Sequence, residues 1–222
     1  MAVAMSLVLA GAARGGVITF GLGEEFSGSP PAATTPPPWL TVTIDDGGTA
    51  GPVTLTLAAT NLTDAEFVTE WDLNLDPLLS PASLVFSSAT KSGAFDTPTI
   101  STGVNAFEAG GGGKYDIEFV FASTGRDGGS HRFRDGDSVQ YTITGIGTLT
   151  AASFNFLSAP HGGHGPYLTA AHVQSIGAGE DSYVQSIGAG EDSGWVTAPE
   201  PATLVLMGAG LAGLLLRRRH RG

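Results

Sequence analysis

This sequence predicts an all-β protein, a β-sandwich followed by a single C-terminal transmembrane helix. Three observations carry the expectation. Apolar and polar residues alternate with period two through a series of short runs, which buries one face of a strand and wets the other. Between the runs lie clusters of Gly and Asp that tolerate a positive φ and so make turns. Near the end, fifteen uncharged residues precede a string of arginines.

Composition agrees with strands. Thirty-three glycines and thirteen prolines in 222 residues are poor material for long helices, because Gly costs backbone entropy and Pro removes a donor. The length suits one domain of roughly 150 to 180 residues plus tails. Cysteine is absent, which excludes a disulfide framework, a thiolate metal site and a Cys nucleophile. The net charge of −11 is unevenly spread. Arg14, Arg217, Arg218, Arg219 and Arg221 account for half of the ten bases, which leaves residues 15–200 with five bases against twenty-one acids, a balance of −16. A body of that charge repels phosphate backbones and anionic headgroups, so nucleic acid is not an expected partner.

Taken in order, residues 1–12 (MAVAMSLVLAGA) are apolar and end in the small-residue pattern Ala10-Gly11-Ala12. They resemble the back half of a secretory signal. The basic start of such a signal is missing, so either the true start lies upstream or the signal is degenerate. Strands are expected at 17–20, at Leu40, Val42 and Ile44 alternating with threonines, and at Val53, Leu55 and Leu57 alternating likewise, with a Pro-rich extended connector over 30–38 before the second. Residues 67–75 place Trp71 and Leu73 on the apolar phase and Glu70 and Asp72 on the polar one. Residues 115–121 set Ile117 and Phe119 against Asp116 and Glu118, and 139–143 set Val139, Tyr141 and Ile143 against Gln140 and Thr142. Ala152, Phe154 and Phe156 are expected to close a set of about eight strands, which packs as a sandwich. The sandwich domain is thus expected over 13–172.

After Pro160 the alternation stops. Residues 173–182 recur as 184–193, an offset of eleven, and 173–197 read as a Gly-rich linker carrying this tandem repeat. One pair of copies is too few for a solenoid, so a duplication within a loop is the expected origin.

Residues 198–222 combine three parts: Pro199-Glu200-Pro201, the uncharged span 202–216, and Arg217, Arg218, Arg219 and Arg221. The span is about 22 Å long as a helix, short of a hydrocarbon core of roughly 30 Å, so flanking arginines must snorkel or the bilayer thin. Arginines held on the cytoplasmic side place the body outside. The prolines stiffen an extended, charged tripeptide just before the membrane. On physics alone this is a C-terminal anchor or a buried terminal helix with a basic cap.

The three parts in this order resemble the PEP-CTERM sorting signal of Gram-negative bacteria that make extracellular polysaccharide. The resemblance implies a recognition motif at Pro199, Glu200 and Pro201, a membrane span at 202–216 and a stop-transfer tail at Arg217, Arg218, Arg219 and Arg221. It also implies an exosortase as partner, a transient inner-membrane anchor, and release of the body to the cell surface or the extracellular matrix of a biofilm. Within the body, Glu70-Trp71-Asp-Leu-Asn-Leu-Asp76-Pro77 followed by Leu84-Val85-Phe86 resembles the strand pattern of cohesin-like and carbohydrate-binding β-sandwiches, which implies a jelly-roll or cohesin-like architecture.

Catalytic signals are sparse. No Gly-x-Ser-x-Gly elbow, phosphate loop or His-Glu-x-x-His is present. His161 and His164 offer two imidazoles without a third ligand, and Asp45-Asp46 and Asp135-Gly-Asp137 are better explained as turns than as calcium loops. No metal, cofactor or catalytic residue is therefore expected. Trp39 and Trp195, each beside a loop-like segment, are the candidates for glycan contact, whereas Trp71 falls on the buried phase. The leading expectation is a non-enzymatic surface or matrix protein associated with exopolysaccharide. A carbohydrate-binding module is the alternative, and a secreted hydrolase, which needs two carboxylates brought together by the fold, comes last.

Overall fold

Leu40, Val42 and Ile44 become buried positions of one strand and Val53, Leu55 and Leu57 those of the next, with the threonines between them facing out. This alternation recurs through the computed structural model, which describes residues 16–31, 37–63, 65–87, 89–124, 131–177 and 192–199. Among them are the strands β1 (Val17–Leu22), β2 (Glu24–Gly28), β3 (Leu40–Asp45), β4 (Val53–Ala59), β5 (Phe67–Leu73), β6 (Val85–Phe86) and β7 (Thr90–Ser92). They are followed by β8 (Thr99–Glu108), β9 (Lys114–Val120), β10 (Ser138–Thr144), β11 (Thr169–Ile176) and β12 (Asp192–Thr197).

The strands form two antiparallel sheets. The first has the order β1-β3-β4-β10-β6, and β7 joins the same side of β10 further along. The second has the order β2-β12-β11-β5-β9-β8. The chain passes from one sheet to the other at Gly23, between β1 and β2, where Pro37 packs so closely that a side chain would not fit. Val42, Leu55, Tyr141 and Ile143 of the first sheet share one hydrophobic cluster with Trp71, Leu73, Phe119, Val173 and Val196 of the second. The all-β body with two antiparallel sheets around a shared core fits the sandwich expectation. Among the described residues no helix is long and apolar enough to cross a membrane, and the expected span at 202–216 lies outside them.

Two expectations need correction. Residues 151–154 form a 3₁₀ turn instead of a strand, because Thr150 and Ser153 cap each other reciprocally and curl the backbone; Phe154 still reaches the core. The stretch 173–197 is not a linker throughout. Residues 173–176 belong to β11 and 192–197 to β12, and both lie inside the second sheet. Alternation fails in β11 because both of its faces are covered, so small and apolar residues stand on each.

This register gives the repeat a simple meaning. Ile176 pairs with Asp192, so the fifteen residues between them connect adjacent strands. Deleting residues 181–191 removes one copy and leaves Gly-Ala-Gly-Glu, a four-residue hairpin connection of ordinary length. The shorter loop lowers the closure entropy by about 1 kcal/mol, so the deletion should raise the melting temperature by about 2 to 4 °C. A drop of more than about 5 °C in calorimetry would show that the second copy packs against the body.

Candidate functional site

The polar phases of β5 and β9 meet on the face of the second sheet that points away from the core. Trp71 and Leu73 of β5, and Ile117 and Phe119 of β9, occupy the core side, which turns Glu70, Asp72 and Glu118 outward. Register then brings them together, because Asp72 stands directly opposite Glu118. One carboxylate oxygen from each of Glu70, Asp72 and Glu118 lies within 4.8 Å of the others. On the opposite side of β5, β11 places Ala170 against Asp72 and His172 against Glu70.

Asp72 forms the floor of this cluster. It is fully buried, and neither of its oxygens accepts from an N–H or hydroxyl group among the described residues, which leaves the neighbouring Glu70 carboxyl as its hydrogen-bonding contact. A smaller apolar cluster of Ala109, Tyr115 and Ala170, flanked by Phe26, Phe107 and Trp195, includes Ala170, the cross-strand neighbour of Asp72. Burial raises the Asp72 pKa well above the usual carboxylate range, and the charges of Glu70 and Glu118 raise it further. Glu70, half-buried, is pushed up to about 7 by desolvation first and Glu118 second. Desolvation also raises Glu118. Among the described residues no ion pair involves any of the three. The sequence showed the two polar phases but not that β5 and β9 are neighbours, so these acids were missed as a group. The available signal was the pair of patterns Glu70-x-Asp72 and Asp116-x-Glu118, each on the polar phase of its strand.

The sequence candidates fall elsewhere. Trp39 is about 6% exposed and packs in the main core, where its backbone N–H donates to Leu22, so it has little ring face to offer a sugar. Trp195 is half-buried on the outer face. Its ring stacks on His172 with centroids 4.8 Å apart, and the Gly110 backbone passes so close that a side chain there would run into the ring. His161 reaches the Glu108 carboxylate at 3.0 Å, and His164 lies by Phe26. The aspartate clusters do turn work: Asp45 and Asp46 accept from the N–H groups of Gly47 and Gly48, Asp135 from Leu62 and Asp137 from Arg134. Among the described residues a cavity of about 230 Å³ opens at Asn74, Asp116 and Phe156, and the acidic trio does not line it.

At the C-terminal end, β12 finishes at Thr197, whose hydroxyl donates to the Thr169 carbonyl at 2.7 Å and ties the strand into the sheet. Ala198 is still buried and Pro199 is exposed. Glu200, Pro201, the span 202–216 and Arg217, Arg218, Arg219 and Arg221 lie outside the described residues. A family model for the PEP-CTERM protein-sorting motif matches residues 197–219. The chain carries a PEP-CTERM sorting signal. The match begins on the last residue of β12. Such a motif supports exosortase-dependent sorting of an exported protein through a membrane-associated intermediate. No curated protein and no solved structure matches the chain, and the likeness of the body to cohesin-like sandwiches is not confirmed.

Proposed function

We propose that the protein is an exosortase substrate whose all-β body is delivered to the cell surface or extracellular matrix and serves there, without catalysis, in association with exopolysaccharide. The observation that carries this reading is the motif match at 197–219, with Pro199-Glu200-Pro201, the uncharged span and the arginines in the required order. Arginines retained inside leave the body outside, and an inner-membrane anchor holds it there until the signal is cut. The acidic body is repelled by anionic headgroups, which favours release once the anchor is gone.

Other readings of the body have less support. Trp195, the more exposed of the two glycan candidates, is already occupied by His172 and the Gly110 backbone. A hydrolase needs two acids with room for a glycosidic bond between them, and the enclosed floor at Asp72 leaves no such room on its side of the trio. The test is cell fractionation of a tagged protein followed by mass spectrometry of the mature form. Mature protein should lack the arginine tail, and the change Glu200→Ala together with Pro201→Ala should trap full-length chain in the membrane fraction. An intact arginine tail on surface-located protein, or soluble full-length chain in the cytosol, would overturn the reading.

A further inference from the structure

We infer that Glu70, Asp72 and Glu118 form a binding site for a hard divalent cation, with calcium as its best occupant. Four features of the outer face lead to this. Two oxygens bound to one ion at about 2.4 Å stand no more than about 4.8 Å apart, and the three carboxylates offer oxygens within 4.8 Å of one another. All three donors are carboxylates, the ligand type that selects calcium, magnesium or manganese over softer metals. The Asp72 carboxylate is fully buried, points into the group, and accepts from no N–H or hydroxyl donor on either oxygen among the described residues, its only such contact being the Glu70 carboxyl within the group itself. Buried carboxylates are ordinarily paired or coordinated, so this one lacks a positive partner that a cation would provide. Finally, Glu70 and Glu118 are only half-buried, which gives the site an open mouth above a closed floor.

Rigid placement separates this group from the acid-rich turns. Its ligands come from the interiors of two hydrogen-bonded strands, β5 and β9, in direct register, so little chain entropy is lost when an ion binds. Water completes the shell at the open mouth, since calcium takes six to eight oxygens. Calcium is favoured over magnesium because a cluster of carboxylates on a sheet face lacks the near-ideal octahedron that the smaller ion demands.

The test uses the purified full chain in detergent micelles, stripped with chelator and titrated with calcium chloride or magnesium chloride. Binding is read by isothermal calorimetry and stability by thermal unfolding. Calcium at about a hundredfold excess over its dissociation constant should raise the melting temperature by roughly 5 to 10 °C, with one ion bound per chain. Glu118→Gln, the change at the most exposed of the three ligands, should weaken binding at least about tenfold while the protein still folds, and Asp72→Asn should abolish the calcium response. Lack of calorimetric binding and of any melting shift with either metal would overturn the inference, as would a shift of equal size in wild type, Glu118→Gln and Asp72→Asn. This outcome is independent of sorting, which depends only on residues 197–219.

Discussion

Replacing Trp71 with alanine is expected to destabilise the body by about 3 to 5 kcal/mol, enough to lower its melting temperature by roughly 10 °C. Trp71 is the largest fully buried side chain and sits in the middle of β5, the strand flanked by β11 and β9 in the second sheet. Its indole faces the core shared with Leu55, Tyr141 and Ile143 of the first sheet. The indole N–H donates to the Thr169 hydroxyl at 3.1 Å, and that hydroxyl donates in turn to the Asp72 carbonyl at 2.7 Å. The substitution therefore removes a large apolar volume and strips the Thr169 oxygen of a buried donor. Trp71→Phe separates the two contributions, since it retains most of the ring and loses the hydrogen bond; its cost should be about 1 to 2 kcal/mol. Chemical denaturation monitored by circular dichroism measures both. A loss below about 1 kcal/mol for alanine would mean that the two sheets do not meet at this residue.

The strands that were legible in the sequence alternate apolar and polar residues, with the apolar face the more deeply buried. β3, β4 and β10 show it plainly, with Leu40, Val42 and Ile44, or Val139, Tyr141 and Ile143, on the inner phase. The strands that escaped notice break that pattern for identifiable reasons. β8 is an edge strand of mixed polar and apolar residues, none of them fully buried, and its pairing with β9 is interrupted between Thr102 and Phe107. β11 is covered on both faces, which replaces alternation by a run of small residues, and β12 begins within a Gly-rich copy of the repeat. The sorting motif could be read without any fold, because its order of prolines, apolar span and arginines is local. The acidic trio could not, because its meaning depends on which strand lies beside β5 and in what register. Local alternation says only that Glu70, Asp72 and Glu118 point away from the core.

That placement makes the ion-free protein lose stability as pH rises, a dependence that Asp72→Asn should reduce by the share Asp72 contributes. The folded-state pKa values of Glu70 and Asp72 lie above those of the unfolded chain, Glu70 at about 7 and Asp72 well above the normal aspartate range. Below about pH 3 both states hold these protons and neither acid penalises folding. As pH rises, the unfolded chain releases them first while the native state retains them, so stability falls through pH 7 and continues to fall until Asp72 ionises. Neighbouring groups do not offset this. Glu118 from β9 adds negative charge, Tyr115 stays protonated through burial, and His172 from β11 has its pKa lowered by burial, which favours the uncharged ring. Asp46 works in the opposite direction, since backbone N–H donors led by Ala151 lower its pKa and its contribution is lost in acid, which places the optimum on the acid side of neutrality. An amide at position 72 carries no charge and offers a donor to Glu70. Asp72→Asn should therefore match wild type near pH 3 and exceed it at pH 8 by about 1 to 3 kcal/mol, a melting temperature higher by several degrees. Calorimetry at the two pH values in chelator decides the matter: parallel curves for the two proteins would mean that Asp72 is ionised and stabilised by contacts other than those seen around it.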